Sequence, residues 1–346
     1  MREYFEARIL EEIDSDSTVN VSGGHTWPGS AILETMEQST FHTQIDERVQ
    51  EKVVDAKRQT REFLTATGCV ERFQLLCEKK EQQRVLPFIG AGMSLPSGFK
   101  LWSDLLLDLT ADSPALRERV EACLAGYQYE DAAQDICDTL GEAALNHDIE
   151  AFLGRGGYEL NGAVKLLPFC FQSGCITTNL DNVLERVYLE TASSFGDPVS
   201  GAALKQQRGF VNPDENKLFK LHGTAASHEG RVLTRQEYDQ TYANDVTLSR
   251  ILDLIIGNRH LLFIGCSLGV DRTVQELTRL FAEAAGNYPQ HFAFLPVYDN
   301  TDRETRRKEL AQANITPIWY PMDEGSDHDN RLENLLVCLA EGGLDD

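Results

Sequence analysis

The segment Val85-Leu86-Pro87-Phe88-Ile89-Gly90-Ala91-Gly92-Met93-Ser94 constrains this chain more than any other. Its apolar first half reads as a short buried strand, which breaks at once into a Gly-Ala-Gly-x-Ser turn. Glycines at a strand end let the backbone come close to a pyrophosphate, and free N–H groups there can act as donors. The spacing departs from the dehydrogenase fingerprint, because the third glycine of G-x-G-x-x-G falls on Leu95. Three later segments share the form. Thr177-Thr178-Asn179-Leu180-Asp181 follows the apolar Cys175-Ile176. Lys220-Leu221-His222-Gly223 follows Leu218-Phe219, and Ile264-Gly265-Cys266-Ser267-Leu268 follows Leu261-Leu262-Phe263. Open α/β sheets bind ligands at the carboxyl ends of their strands, so four such strand ends can converge on one crevice.

The rest of the pattern agrees with that architecture. Apolar strand candidates recur at 174–178, 217–221, 260–265, 291–298 and 315–320. Helical segments at 181–193, 246–257 and 271–285 separate several of them, and 330–341 reads as a closing amphipathic helix. The expected fold class is α/β: a Rossmann-like doubly wound parallel sheet with a helical insertion and an N-terminal helical extension. Residues 1–38 read as an N-terminal arm, with a short acidic helix over 2–13 and then the loop or linker punctuation Asp14-Ser15-Asp16 to Gly29. Residues 39–70 read as a helical extension, on which Phe41, Ile45, Val49, Val53, Ala56 and Phe63 recur at helical spacing. That stripe packs either on the chain's own core or on a neighbouring subunit. Residues 71–346 form the nucleotide-binding unit, opened by a helix over 71–82. Residues 103–153 are its helical insertion, with a capping start at Trp102-Ser103-Asp104.

Charge and cysteine usage exclude some functions. The formal net charge of −23 leaves no basic field with which to replace phosphate counterions, so direct nucleic-acid binding is not expected. No apolar run reaches the length of a membrane span, and the N-terminal MREYFEARILEEID is acidic rather than signal-like. The 8 cysteines form no C-x-x-C pair, and several lie in apolar runs. A cytoplasmic chain without structural zinc or disulfides is the expectation.

Within the crevice, Asn179 and Asp181 are two apart, so an extended or turn geometry can point both into it. Asn179 can equally cap a helix beginning near Asp181. An imidazole such as His222 titrates near neutrality and can take a proton from a hydroxyl or a water. His25, His42, His147, His228, His260, His291 and His328 have no comparable context. Ser94 can touch phosphate or cap the first loop, and Asp271 can be a charge favourable to a helix N-terminus.

The order Gly-Ala-Gly-x-Ser, Thr-Asn-x-Asp, His-Gly, Gly-x-Ser-Leu resembles the sirtuin superfamily of NAD-consuming proteins, over roughly residues 72–340. Ser97-Gly98-Phe99-Lys100-Leu101-Trp102 is similar to the family's continuation of the first loop, with Lys100 where relatives often carry proline. The resemblance implies that NAD is the substrate. It places Gly90, Ala91, Gly92, Ser94, Thr178, Gly265, Ser267 and Asp271 on the nucleotide. It implies Asn179 on the nicotinamide ribose and the attacking water, Asp181 on the carboxamide, and His222 as general base. Cys266 replaces the threonine of the family's Gly-Thr-Ser element.

Deacylase sirtuins carry a four-cysteine zinc module between the His-Gly and Gly-Thr-Ser elements. Here Gly265 lies only 43 positions after His222, with no cysteine between them. The interval holds Val232-Leu233-Thr234-Arg235-Gln236-Glu237-Tyr238 and Tyr242, and resembles the L-T-x-x-x-Y segment of zinc-free bacterial relatives. The resemblance is therefore to the anti-phage branch, whose members hydrolyse NAD to nicotinamide and ADP-ribose and starve infected cells. It implies no metal. It also implies control by assembly, as a homo-oligomer or with a separately encoded HerA-type ATPase or other defence protein. Two alternatives remain at this stage: deacylation or ADP-ribosyl transfer on the same fold, and a subunit that senses NAD or ADP-ribose without chemistry. Nicotinamide release without an acyl or protein acceptor separates hydrolysis from both.

Overall fold

The computed structural model describes residues 1–16, 18–21, 25–191, 193–200, 204, 216–240, 252–253, 259–269, 272–283, 288–322 and 325–345. The chain opens with helix α1 (Arg2–Asp16), the antiparallel hairpin β1 (Thr18–Val21) and β2 (His25–Pro28), and helix α2 (Gly29–Met36). The hairpin and α2 fall where the punctuation suggested a loop. Helix α3 (Gln38–Thr67) follows, ended by Gly68 in the left-handed conformation at φ 69°, whose N–H reaches the carbonyls of Leu64 and Thr65. Helix α4 (Val70–Glu81) leads into strand β3 (Val85–Ile89). The insertion is helical as expected: α5 (Trp102–Asp108), α6 (Pro114–Ala125), α7 (Tyr129–Leu140) and α8 (Glu142–Leu153). Its first cap lies one residue earlier than read, at Leu101, with no side-chain bond.

The sheet-forming half continues with α9 (Leu167–Cys170), β4 (Cys175–Thr177), α10 (Val183–Leu189), β5 (Val199–Ser200) and β6 (Leu218–Lys220). Helix α11 (Arg235–Tyr238), β7 (His260–Ile264), α12 (Arg272–Glu283), β8 (His291–Val297), α13 (Arg303–Ala311), β9 (Ile315–Pro321) and α14 (His328–Ala340) complete it. The helix expected over 246–257 lies, apart from 252–253, outside the described residues, as do Tyr242 and Asp271.

Among the described residues seven strands pair in the order β5-β6-β4-β3-β7-β8-β9, every neighbour parallel. All five residues of β3 and of β7 are buried, because helices cover both faces of a parallel sheet. From β3 the chain first moves to β4 and β6, and then returns to lay β7 on the other side. The strand order therefore reverses between β3 and β7, the position where such sheets open a ligand crevice. No helix among the described residues is long and apolar enough to cross a membrane.

The stripe on α3 has its partner within the chain. Phe41, Ile45, Val49, Val53, Ala56 and Phe63 are buried in the same apolar cluster as the sheet and α14. Phe5, Ile9 and Ile13 of α1 join them. Polar contacts fix the seam. Thr67 Oγ1 donates to the Trp319 carbonyl at 3.0 Å, Asn334 Nδ2 to Gln59 Oε1 at 3.1 Å, and Tyr4 and Arg8 both to Glu333 at 2.9 Å. The stripe is thus not an assembly face held open for a neighbour. Helices α1 and α3 form a wall of the core, because α14 and β9 would otherwise expose their own apolar side.

Candidate functional site

Two loops meet at the reversal point and interlock. Gly90 N–H donates to the Ile264 carbonyl at 2.9 Å, and Gly92 N–H to the Gly265 carbonyl at 3.0 Å. A Cβ on Gly90 would lie 2.4 Å from the Gly265 oxygen and 2.7 Å from Cys266 Sγ; one on Gly92 would lie 2.9 Å from the same oxygen. Gly265 itself sits at φ +69°, and a Cβ there would meet the Met93 amide nitrogen at 2.7 Å. These glycines are therefore required first by the packing of loop on loop. The reading of the first turn as a set of free donors is corrected accordingly. The Gly90, Gly92 and Met93 amides are used within the interlock, which leaves Ala91 as the position whose amide those bonds do not use. The turn continues as a 3₁₀ segment, Ala91–Ser97. On the other loop, Arg306 donates to the Ser267 carbonyl at 2.9 Å and also to the Leu268 carbonyl, fixing the exposed Ser267 at the mouth.

A polar layer lies behind that floor. Thr177 Oγ1 donates to the Ile89 carbonyl at 2.7 Å and accepts from Asn179 N–H at 2.9 Å, tying the end of β4 to the end of β3. Asn179 is 4% exposed, and its Nδ2 donates to Ser94 Oγ at 3.4 Å. Ser94 is 2% exposed and is not part of the cavity wall; its hydroxyl serves as the acceptor for Asn179. The N-cap of α10 is Asn182, not Asn179, and it makes no side-chain cap bond; Asp181, just before it, accepts from Val183 N–H through Oδ1 at 3.0 Å. Burial raises the Asp181 carboxyl above the ordinary range, while the Lys220 ammonium, the Val183 N–H and Ser94 pull it down. Lys220, 1% exposed, donates to the Asp181 carbonyl and to Glu185 Oε1 at 2.8 Å. Asn179 Oδ1 is buried and accepts no hydrogen bond from the described residues.

His222 follows β6 and is 8% exposed. Burial pushes its imidazole down to about 3, so it is neutral near pH 7, contrary to the expectation of titration near neutrality. Its carbonyl accepts from Val232 N–H at 3.0 Å, which lays the segment 231–238 across the site. A cavity of about 490 Å³ opens between the sheet and the insertion. Gly90, Ala91, Gly92, Thr178, His222, Gly265 and Ser267 line it, with Trp102 and residues 127–131 of the insertion and Val232, Leu233 and Tyr238 of the connecting segment.

The structure thus brings seven of the expected site residues onto one cavity wall. Ser94, Asn179 and Asp181 stand behind them and are not part of the lining. For Asp181 this corrects the reading of a carboxylate aimed into the crevice, because its Oδ1 turns to the Val183 N–H at the start of α10. Sequence reasoning missed the pinning by Thr177, which the doubled threonine of Thr177-Thr178 could have signalled. It also missed the insertion wall at 127–131, for which there was no motif, and the anchoring of the last loop by Arg306. Among the described residues, no group of three or more His, Cys, Asp or Glu is placed to hold a metal ion.

The family model of the SIR2-like domain matches residues 173–318. The match runs from just before β4 into β9 and includes Asn179, Asp181, His222, Gly265 and Ser267, while the Gly90–Ser94 loop lies before it. It supports a Sir2-type domain and an NAD-related function, and SIR2-like domains are often NAD-dependent enzymes. No curated protein matches the chain.

Proposed function

We propose that this chain is an NAD glycohydrolase, cleaving NAD to nicotinamide and ADP-ribose. The carrying observation is His222: a buried, uncharged imidazole lining a cavity at the reversal point of the sheet, opposite the two interlocked glycine loops. The residues present suit such a substrate. The buried Asn179 Oδ1, which accepts nothing from the described residues, calls for a donor, and a water behind the cavity wall supplies one. Gly90, Gly92 and Gly265 line the cavity without side chains, so a pyrophosphate can come close to the backbone.

The chemistry asks little of the protein. The bond from ribose C1′ to the pyridinium nitrogen breaks with its electrons moving to nitrogen, so that nicotinamide leaves neutral. Positive charge builds on the ribose, and water bonds to C1′ as its proton passes to His222. The site need only orient the ribose, stabilise that charge and deliver the water. By resemblance Asn179 orients the ribose or the water, Ser94 accepts from Asn179, and Ala91, Thr178 and Ser267 position the nucleotide. The reading is tested by mass spectrometry on the full chain with NAD alone and with an acyl-lysine peptide. Nicotinamide and ADP-ribose should appear without peptide, and His222→Ala and Asn179→Ala should abolish them. Product formed only with peptide points to deacylation or transfer; binding without product points to sensing.

By family resemblance the activity serves as an NAD-depleting effector of bacterial anti-phage defence, restrained by homo-oligomer assembly or by a HerA-type ATPase partner. The α3 stripe no longer supports the assembly reading. What remains is the charge of −23, which suits a partner with a basic face. Light scattering on the chain, alone and with such an ATPase, tests both.

A further inference from the structure

The hydrolytic scheme leaves unused a cavity residue that touches the base. Tyr238 Oη lies 3.4 Å from His222 Nδ1, and the two rings meet edge-on with centroids 5.2 Å apart at 78°. Tyr238 ends α11, a four-residue helix far too short to hold itself. A capping box fixes its start: Thr234 Oγ1 accepts from Glu237 N–H at 3.3 Å, and Glu237 Oε2 accepts from Thr234 N–H at 2.8 Å. Helix α7 of the insertion fixes its side, with Gln236 N–H on Gln134 Oε1 at 3.0 Å and Arg235 on Asp131 at 2.5 Å. The buried Arg231 adds contacts to Asn146 of α8 and to Glu237. So many anchors on so short an element specify where its last side chain stands.

We propose that Tyr238 is a positioning residue for His222: its hydroxyl accepts the Nδ1 hydrogen of the neutral imidazole, which leaves the lone pair on Nε2 for the attacking water. The proposal rests on His222 acting as the base of the hydrolysis described above. As the water oxygen bonds to C1′ and nicotinamide leaves with the electrons of the glycosidic bond, Nε2 takes the water proton. Nδ1–H continues to donate to Tyr238 Oη, Tyr238 keeps its own proton, and Nε2 later returns its proton to solvent. The insertion thereby sets the base through α11.

Tyr238→Phe keeps the ring and its edge contact and removes only the hydroxyl. The full chain, labelled with ¹⁵N at histidine, reports the His222 tautomer in long-range proton–nitrogen spectra, with His222→Gln to assign the signal. The wild type should show the Nδ1–H tautomer and Tyr238→Phe a mixture. In turnover, kcat for nicotinamide release should fall roughly tenfold with KM for NAD changed by less than about twofold. An Nε2–H tautomer in the wild type, or an unchanged tautomer and kcat in Tyr238→Phe, overturns the proposal. His222→Ala separates it from the parent reading. Retained turnover there removes His222 as base, whereas a dead His222→Ala beside an unaffected Tyr238→Phe removes only the role of Tyr238. The tautomer decides the matter even in a preparation without turnover.

Discussion

Gly90→Ala tests the interlock of the two loops. Gly90 has φ −100° and ψ 174°, which alanine adopts without strain, so the whole cost is the added methyl group. That methyl would stand 2.4 Å from the Gly265 oxygen, about 1 Å inside ordinary contact, and 2.7 Å from Cys266 Sγ. The obstacle is backbone, so the loops must separate by about that much. The bonds from Gly90 to Ile264 and from Gly92 to Gly265, 2.9 and 3.0 Å long, would stretch beyond hydrogen-bond range. At ~1 kcal/mol net for each, plus the desolvation of the groups left unpaired, the variant should lose ~2–4 kcal/mol. A displacement of about 1 Å between cavity walls should also cost up to roughly 10²-fold in turnover. Urea denaturation followed by circular dichroism gives the first quantity and nicotinamide release the second. Gly269→Ala is the control: it lines the same cavity, nothing lies within 4 Å of its would-be Cβ, and it should stay within about 0.5 kcal/mol of wild type. A Gly90→Ala protein with wild-type stability and turnover would refute the close-approach argument.

Three further outcomes follow from the geometry. Ile45→Ala, at a fully buried position, should cost ~2–5 kcal/mol in a urea transition whose midpoint does not depend on protein concentration; a concentration-dependent loss would return the α3 stripe to a subunit contact. His222 and His291 are both held down to about 3, below the ordinary imidazole value, so the unfolded chain binds more protons and stability falls as pH drops below about 6.5. Between pH 7 and 5.5 each should contribute ~1 kcal/mol of that loss, while the raised Asp181 acts in the opposite direction; an unchanged urea midpoint in Asp181→Asn over that interval speaks against neutral burial. Lys220→Met should cost ~2–4 kcal/mol and most of the turnover, because it strips Glu185 and the Asp181 carbonyl of their buried donor; a fully active, stable variant would remove Lys220 from the support of the site.

The sheet was legible because parallel strands buried on both faces are continuous apolar runs, and each ended on a residue pattern that cannot continue a strand. For β3 and β7 this located the strand and the loop together. Strand β5, only Val199–Ser200, gave no such run. Helix α13 escaped notice because it buries only Leu310 among charged neighbours. The site was legible as a set of residues and less so as a set of roles. Spacing alone does not tell which of Asn179 and Asp181 turns toward α10; the partner decides, and Ser94 lies 85 positions from Asn179. The state of His222 depends on how much protein covers it, which no neighbour in sequence reveals. The stripe on α3 showed that a face would be buried, while its partners, α14 and β9, lie at the far end of the chain.

Gly90 and Gly265 stand about half the chain apart, yet each fills the space that the other leaves open. Contacts of such long sequence separation bear the full entropy of loop closure and form late in folding. During synthesis the β3 strand and its turn emerge long before their counterpart, so a nascent chain holds half a floor and no cavity. Under the NAD-consuming function proposed above, the order of assembly is then a safeguard. The site comes into being only when the two halves of the sheet have joined, and a partly folded chain does no harm.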